Sequence, residues 1–379
     1  MKRIYLDNAS TSPVDERVIA EMTTVLQDHF GNPSSIHHYG RVARSLVEEA
    51  RKTTANCLKA SIGEIFFVST ATEAINMILK NAVVHHGIKH IITSPLEHHC
   101  VLHPLAYLQK HNELKVTHLT VDEQGNLDLG QLEGLLADSN DPTMVSLMHG
   151  NNEIGTMADV VAIGQLCQEH ETLFHCDTVQ TMGKYPIDVS ASYFSFVSGS
   201  AHKFHGPKGA GFFYMNSDNI LPPAILGGAQ ERNMRAGTEN IYGIVGMAKA
   251  LQIATDEQVQ TLAHIEALRA YFKQRLSTEL HDIQYNGNQE ENYMAHVLSV
   301  SFPPTDKADM LMFNLDIAGI CVSSGSACSS GIESDSHVLV GVGHPTDRKT
   351  IRFSFSKYNT TEEIDEVMEK LKTITPTAS

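Results

Sequence analysis

No apolar run in the 379-residue sequence is long enough to span a bilayer. The N-terminus meets Lys2, Arg3 and Asp7 before a signal-peptide core could form, so neither export nor membrane insertion is expected. Cysteine is sparse: Cys57, Cys100, Cys167, Cys176, Cys321 and Cys328 are scattered, with no C-x-x-C pair. A disulfide framework is not expected in a chain of this length without an export signal. The expected setting is a reducing cytoplasm, where a special cysteine is special for its reactivity. Positive charge is also short, with 28 Lys and Arg against 44 Asp and Glu and a net charge of −16. Duplex binding needs a cationic surface to displace counterions, so direct nucleic-acid binding is not expected. A small substrate is. The sequence holds no internal repeat, no low-complexity tract and no G-x-x-x-x-G-K-[ST] phosphate loop.

Apolar residues make up 42% and charged residues 19%, as in an ordinary globular protein large enough for a sizeable core and a second domain. From about Ile62 to Met215, short apolar runs alternate with helical patterns. Strands are predicted at Ile65–Val68, His90–Thr93, Val116–Leu119, Met144–Met148, Leu173–His175 and Tyr193–Val197. Helices are predicted from Thr72 to about Val84, after Glu97, and around Leu129–Leu136 and Ala158–His170. Such alternation implies an α/β fold, a parallel sheet covered by helices on both faces. Ligands then sit at the carboxyl ends of the strands. Past Gly243 one long helical pattern runs towards Leu280 as a connector. The remainder reads as a smaller α+β domain with strands at His296–Phe302, Ile320–Val322 and Thr350–Phe355. Its helices are predicted at Asp306–Leu315 and from Thr361 to Lys372, the latter opening with a cap-like Thr360-Thr361-Glu362-Glu363. Between them the small residues of Ser323–Gly331, which include Cys328, cannot anchor a core and are expected to be mobile.

The chemistry-bearing residues follow the predicted strands. Lys203 lies in Ser200-Ala201-His202-Lys203, before a Gly/Pro turn. A lysine held in a partly dry site has a lowered proton affinity and can bind a carbonyl cofactor covalently. A solvated loop lysine is the commoner reading of such a residue taken alone. Asp177 ends a strand, with Gln180 three residues on. A pyridine-ring cofactor needs a carboxylate there to keep its nitrogen protonated, although an aspartate at a turn is the simpler alternative. Ser69-Thr70-Ala71-Thr72-Glu73 puts small residues and hydroxyls at a helix N-terminus, which attracts phosphate, with Thr70 or Thr72 available as the N-cap. In Glu97-His98-His99-Cys100-Val101-Leu102-His103, His99 and His103 fall one helical turn apart, but no fourth ligand has a matching spacing for a metal. His98, at the strand-to-helix junction, is better placed to stack on a flat cofactor and exchange protons. Asn152 also follows a strand and could bond a phenolic oxygen or a carboxylate.

Seven segments in this order carry a resemblance: Ala71-Thr72-Glu73, Glu97-His98, Asn151-Asn152-Glu153, Asp177-Thr178-Val179-Gln180, Ser200-Ala201-His202-Lys203, Met234-Arg235-Ala236-Gly237-Thr238-Glu239-Asn240 and Ser323-Ser324-Gly325-Ser326-Ala327-Cys328. The sequence resembles the cysteine desulfurases of iron–sulfur cluster assembly, within the fold-type I pyridoxal-phosphate enzymes. The likeness runs from Tyr5-Leu6-Asp7-Asn8 to Ile351-Arg352-Phe353-Ser354. It implies a large cofactor-binding domain, residues 15–255, with a mainly parallel seven-stranded sheet sandwiched by helices. Residues 1–14 and 256–379 would form the smaller α+β domain carrying the cysteine loop at about 323–334. It further implies that Lys203 holds pyridoxal 5'-phosphate covalently and that Asp177 pairs with its ring nitrogen. His98 would stack on the ring and Gln180 bond the phenolic oxygen. Ala71 with Thr72, Ser200 with Ala201, and His202 would hold the phosphate. Thr238 would reach the phosphate of the neighbouring subunit of a homodimer. Asn152 and Arg352 would bind the substrate carboxylate, a task suited to a planar guanidinium.

The implied reaction converts L-cysteine to L-alanine and leaves sulfur as a persulfide on Cys328, for delivery to a protein acceptor. Without help, only about a few per cent of a free cysteine is thiolate at neutral pH. The Ser-Ser-Gly-Ser-Ala-Cys context matches the long-loop branch; the Arg-x-Gly-His-His-Cys context of the other branch is absent. Housekeeping members extend well beyond the last helix, and that tail helps dock the cluster scaffold. Here the sequence ends at Ser379, which leaves the acceptor open between that scaffold, a nitrogenase-type role and general supply to thio-cofactors or tRNA. Another pyridoxal-phosphate lyase or aminotransferase, such as a selenocysteine lyase, is the alternative within the fold. A non-catalytic sulfur or metal carrier is the alternative outside it.

Overall fold

Ile65–Val68, His90–Thr93 and Thr143–Met148 are buried at every residue, the signature of strands covered on both faces. A computed structural model, which describes residues 3–305, 310–324 and 336–375, shows how they assemble. In chain order the elements are β1 (Ile4–Tyr5), α1 (Glu16–Asp28), α2 (His38–Leu58), β2 (Ile65–Val68), α3 (Ala71–Val84), β3 (His90–Thr93), α4 (His99–His111) and β4 (Lys115–His118). Then come α5 (Leu129–Ala137), β5 (Thr143–Met148), α6 (Val160–Glu169), β6 (Leu173–Asp177), β7 (Phe196–Ser200), β8 (Gly211–Met215) and α7 (Ile241–Asp256). The C-terminal part adds α8 (Gln258–Glu279), β9 (Gln284–Asn286), β10 (Val297–Phe302), α9 (Leu311–Ile317), β11 (Ile320–Cys321), α10 (His337–Gly341), β12 (Lys349–Ser354) and α11 (Thr361–Ile374).

The main sheet has seven strands in the order β2-β8-β7-β6-β5-β3-β4. Pairing is parallel from β7 through to β4, and only β8 runs against its neighbours β2 and β7. The sheet is therefore the mainly parallel, helix-covered one expected. Most other boundaries shift by one or two residues, and three differences are larger or have a local reason. The strand expected at Tyr193–Val197 begins at Phe196, where the ladder with β6 starts (His175 opposite Phe196). The Tyr193 hydroxyl instead donates to the Thr172 carbonyl at 3.2 Å. The single helix expected past Gly243 is broken at Glu257, whose backbone leaves the helical region (φ −96°, ψ 4°). Its carboxylate is drawn off by Arg17 at 2.6 Å and Lys357 at 2.8 Å. The helix expected from Asp306 starts at Leu311, with residues 306–309 outside the described set.

One buried apolar cluster draws on residues from Val18 to Ile253, and another on Ile4, Leu6 and residues 265–374. The second is built where α8 and α11 pack on the antiparallel sheet β12-β10-β9. There Phe272 meets the edge of Phe353, ring centroids 4.9 Å apart, a favourable geometry for aromatic quadrupoles. The N-terminus belongs to this cluster because β1 pairs in parallel with β11. That pairing carries residues 7–12 across the carboxyl ends of the main strands.

Candidate active site

A cavity of about 280 Å³ opens at those carboxyl ends. It is lined by Thr70, Ala71 and Thr72 after β2, by His98 after β3, by Asn152 after β5, by Asp177 and Gln180 on and after β6, and by Ser200, His202 and Lys203 after β7. Arg352 from β12 lines it too. The fold thus brings together residues that span most of the sequence. Of those expected here, Ala201 is fully buried; Thr238, expected at the neighbouring subunit's phosphate, lines a second cavity with Ser69, Arg235 and Asn240. Cys328 lies outside the described residues.

Each side chain is set by its neighbours. The Lys203 amine donates to the main-chain carbonyls of Ala9 at 2.6 Å and Ser10 at 2.9 Å. Asp177 is buried and accepts the Val179 N–H at 2.9 Å. Burial pushes its carboxyl up to about 6, against the opposing pull of that N–H and of the Lys203 charge. His98 Nδ1 accepts the Cys100 N–H at 3.1 Å, which makes Nε2 the protonated nitrogen of the neutral ring. Burial, with the Lys203 charge and the neighbouring His99, His337 and His103 acting after it, holds His98 down at about 4. It is therefore a neutral imidazole at physiological pH. His202 is likewise lowered to about 4, by burial and then by Lys203, Lys208 and Lys184. Gln180 spends one amide hydrogen on the Ala9 carbonyl at 2.9 Å and keeps the other. Arg352 donates to the Asn152 carbonyl at 2.8 Å, to Asp7 at 2.9 Å and to Ser10 Oγ at 2.6 Å. Its buried Nε–H has no protein acceptor among the described residues.

These residues fit pyridoxal phosphate. Thr70 caps α3 through a bond from the Glu73 N–H at 3.1 Å, which settles the choice between Thr70 and Thr72. The first N–H groups of α3 have no intrahelical partner, and they open beside Thr72, Ser200 and His202, a cup suited to phosphate. A buried carboxyl raised to about 6 gains by meeting a protonated ring nitrogen. Arg352 retains a buried, unsatisfied donor for a carboxylate. The His99–His103 pair, one turn apart, stacks ring on ring at 4.7 Å instead of converging on a metal. No group of three or more His, Cys, Asp or Glu among the described residues is arranged to hold one.

Sequence reading missed several parts of this cavity. Ala9 and Ser10 hold the lysine amine, yet nothing local marks them. His337, at the start of α10, lines the cavity, donates from Nε2 to the Glu97 carbonyl at 2.9 Å, and sets its ring 4.7 Å from that of His99. Ser336 before it bonds to the Glu153 carboxylate. The only available signal was the Ser-His pair itself, on the C-terminal side of the cysteine segment.

Residues 4–367 match the aminotransferase class-V family. The cysteine desulfurase IscS of Dictyoglomus turgidum is 40% identical over 389 residues, an alignment covering 99% of this chain and 97% of that one. The cysteine desulfurase IscS of Methanosarcina thermophila is 38% identical, covering 97% of this chain and 91% of its own. Among solved structures, a NifS-like protein superposes with a TM-score of 0.90 at 38% identity, covering 98% of this chain and 99% of that chain.

Proposed function

The chain belongs to the aminotransferase class-V family and is a pyridoxal-phosphate-dependent cysteine desulfurase, in which, we propose, Lys203 carries the cofactor and Cys328 receives the sulfur. The observation that carries this assignment is the convergence of Lys203, Asp177, His98 and Arg352 on one cavity. When bound, pyridoxal phosphate supplies a carbonyl for amines and a ring able to accept the electron pair left when an α-proton departs. Asp177 would keep the ring nitrogen protonated, His98 would stack on the ring, and Gln180 would offer its remaining N–H to the phenolic oxygen. Ala71, Thr72, Ser200, Ala201 and His202 form the phosphate cup.

Arg352, with Asn152, orients the substrate carboxylate so that the α-proton faces the Lys203 amine. The Lys203 amine, which would hold the cofactor before substrate arrives, is placed to take that proton. The Cys328 thiolate attacks the substrate sulfur, and the S–C bond breaks as an S–S bond forms. The carbon skeleton leaves as alanine after reprotonation, with His98 Nε2–H a proton donor within the cavity.

The working unit is a homodimer in which Thr238 reaches the partner's phosphate. Exposed Phe30, Ile36 and Leu226 (73%, 91% and 84%) are apolar side chains of the kind a second subunit would cover. The large domain spans 15–255, and the smaller one 1–14 and 256–379. The setting is the cytoplasm, and the acceptor is a protein thiol of a cluster scaffold or another sulfur carrier. No helix among the described residues is long and apolar enough to cross a membrane.

The test is mass spectrometry of the intact protein after incubation with L-cysteine. One added sulfur mapped to Cys328 is expected. Cys328→Ala should lose both that mass and alanine formation yet keep its visible absorbance. Undiminished turnover in Cys328→Ala would reject the assignment.

A further inference from the structure

A second lysine, partly buried, lies beside Lys203 and takes no part in the chemistry above. Lys184 follows the turn after β6. Its Nζ donates to the carbonyl of Lys203 at 2.8 Å and to that of Gln180 at 3.1 Å. It therefore ties the turn carrying Asp177 and Gln180 to the turn carrying the cofactor lysine. Among the described residues no carboxylate pairs with it. Asp15 and Glu257, which line the same small cavity behind Lys203, are taken by Arg17 and Lys357. The other ionisable groups around it are basic: Lys203, His202, His205 and His296 all feel its charge. An ammonium without a counterion is a costly thing to bury, and apolar packing or a neutral amide would tie two carbonyls more cheaply.

We propose that Lys184 is a positioning residue for Lys203: its two hydrogen bonds fix the turn that carries the Lys203 amine, and its positive charge disfavours protonation of that amine. Two coupled amines disfavour double protonation, so a proton on one raises the cost of a proton on the other. Burial, and after it the Lys203 charge, bring Lys184 itself down to about 7. The idea rests on the reading of Lys203 as the cofactor lysine.

The experiment measures the rate at which the full-length chain, stripped of cofactor, takes up pyridoxal phosphate at Lys203, across pH. Borohydride trapping and peptide mass spectrometry locate the adduct. In Lys184→Met the pH midpoint should rise, with uptake at pH 7 slower by roughly tenfold. Lys184→Gln keeps a donor but no charge and should behave in the same way; it also carries the test should the Met variant fail to fold, as checked by thermal melting. A wild-type midpoint in a folded variant of either kind overturns the role of Lys184. A wild-type chain that forms no adduct at Lys203 overturns both this role and the assignment of Lys203 beneath it.

Discussion

Asp177 is the residue at which stability and chemistry conflict. Its carboxyl is raised to about 6 in the folded chain, first by burial. An unfolded aspartate titrates near ~4. Between those values the folded chain holds a proton that the unfolded chain has lost. Stability of the cofactor-free protein is therefore greatest below the window and falls as pH rises through it. Asp177→Asn keeps the acceptor for the Val179 N–H and removes the buried charge. It should raise cofactor-free stability at pH 7.5 by about 3 kcal/mol and flatten the slope between pH 4 and 6. On its proposed role, in which the ring nitrogen would lose its anionic partner, turnover with L-cysteine should drop on the order of a hundredfold or more. Melting curves across pH and steady-state rates check the pair, and a variant with the wild-type pH slope would contradict it. At this scale the sequence was legible wherever a reactive side chain follows a strand, as Lys203, Asp177 and His98 do. Ala9 and Ser10 act through main-chain carbonyls, which every residue possesses, so their types carry no signal.

At the scale of elements, strand–helix alternation located β2, β3, β5 and β6 and passed over β8. That rule looks for a helix between strands, and β8 follows β7 through a single helical turn at Ala201–Lys203. Yet β8 packs against the backbone at Thr70, beside the proposed phosphate cup. A Cβ on Gly211 would come within 2.9 Å of the Gly199 carbonyl and 3.1 Å of the Thr70 backbone, contacts with main chain that cannot swing aside. Gly211→Ala should therefore push Thr70 and the start of α3 outward. We expect a loss of about 1–3 kcal/mol in stability and weaker retention of pyridoxal phosphate on dialysis. An unchanged melting temperature would show that the strand yields more easily than its packing implies. The long pattern through 243–280 was misread for the opposite reason. Only Glu257 separates the two helices, so the sequence offers no gap between them, and the partners of its carboxylate at the break, Arg17 and Lys357, are both distant in sequence.

For the whole molecule, Thr238 stands apart from the cavity its own chain forms, so a complete site is expected to need two copies. Mixing a Lys203→Ala chain with a Thr238→Glu chain tests this. Alone, the first lacks the cofactor amine and the second sets a carboxylate against phosphate. With free exchange of subunits, on the order of a quarter of the wild-type sites become intact; a mixture no more active than its components would favour self-sufficient monomers. The same long reach governs how the chain comes into being. Asp7 meets Arg352 across 345 positions, and β1 has no strand beside it until β11 exists. During synthesis β1 must wait without its strand partner until Cys321 has been made, although Ala9, Ser10 and Ser12 can meet Lys203 and His202 much earlier. A chain made only as far as β8 can gather a parallel sheet around Lys203, but it lacks Arg352 and Cys328, so on their proposed roles no sulfur is set loose until both have been added.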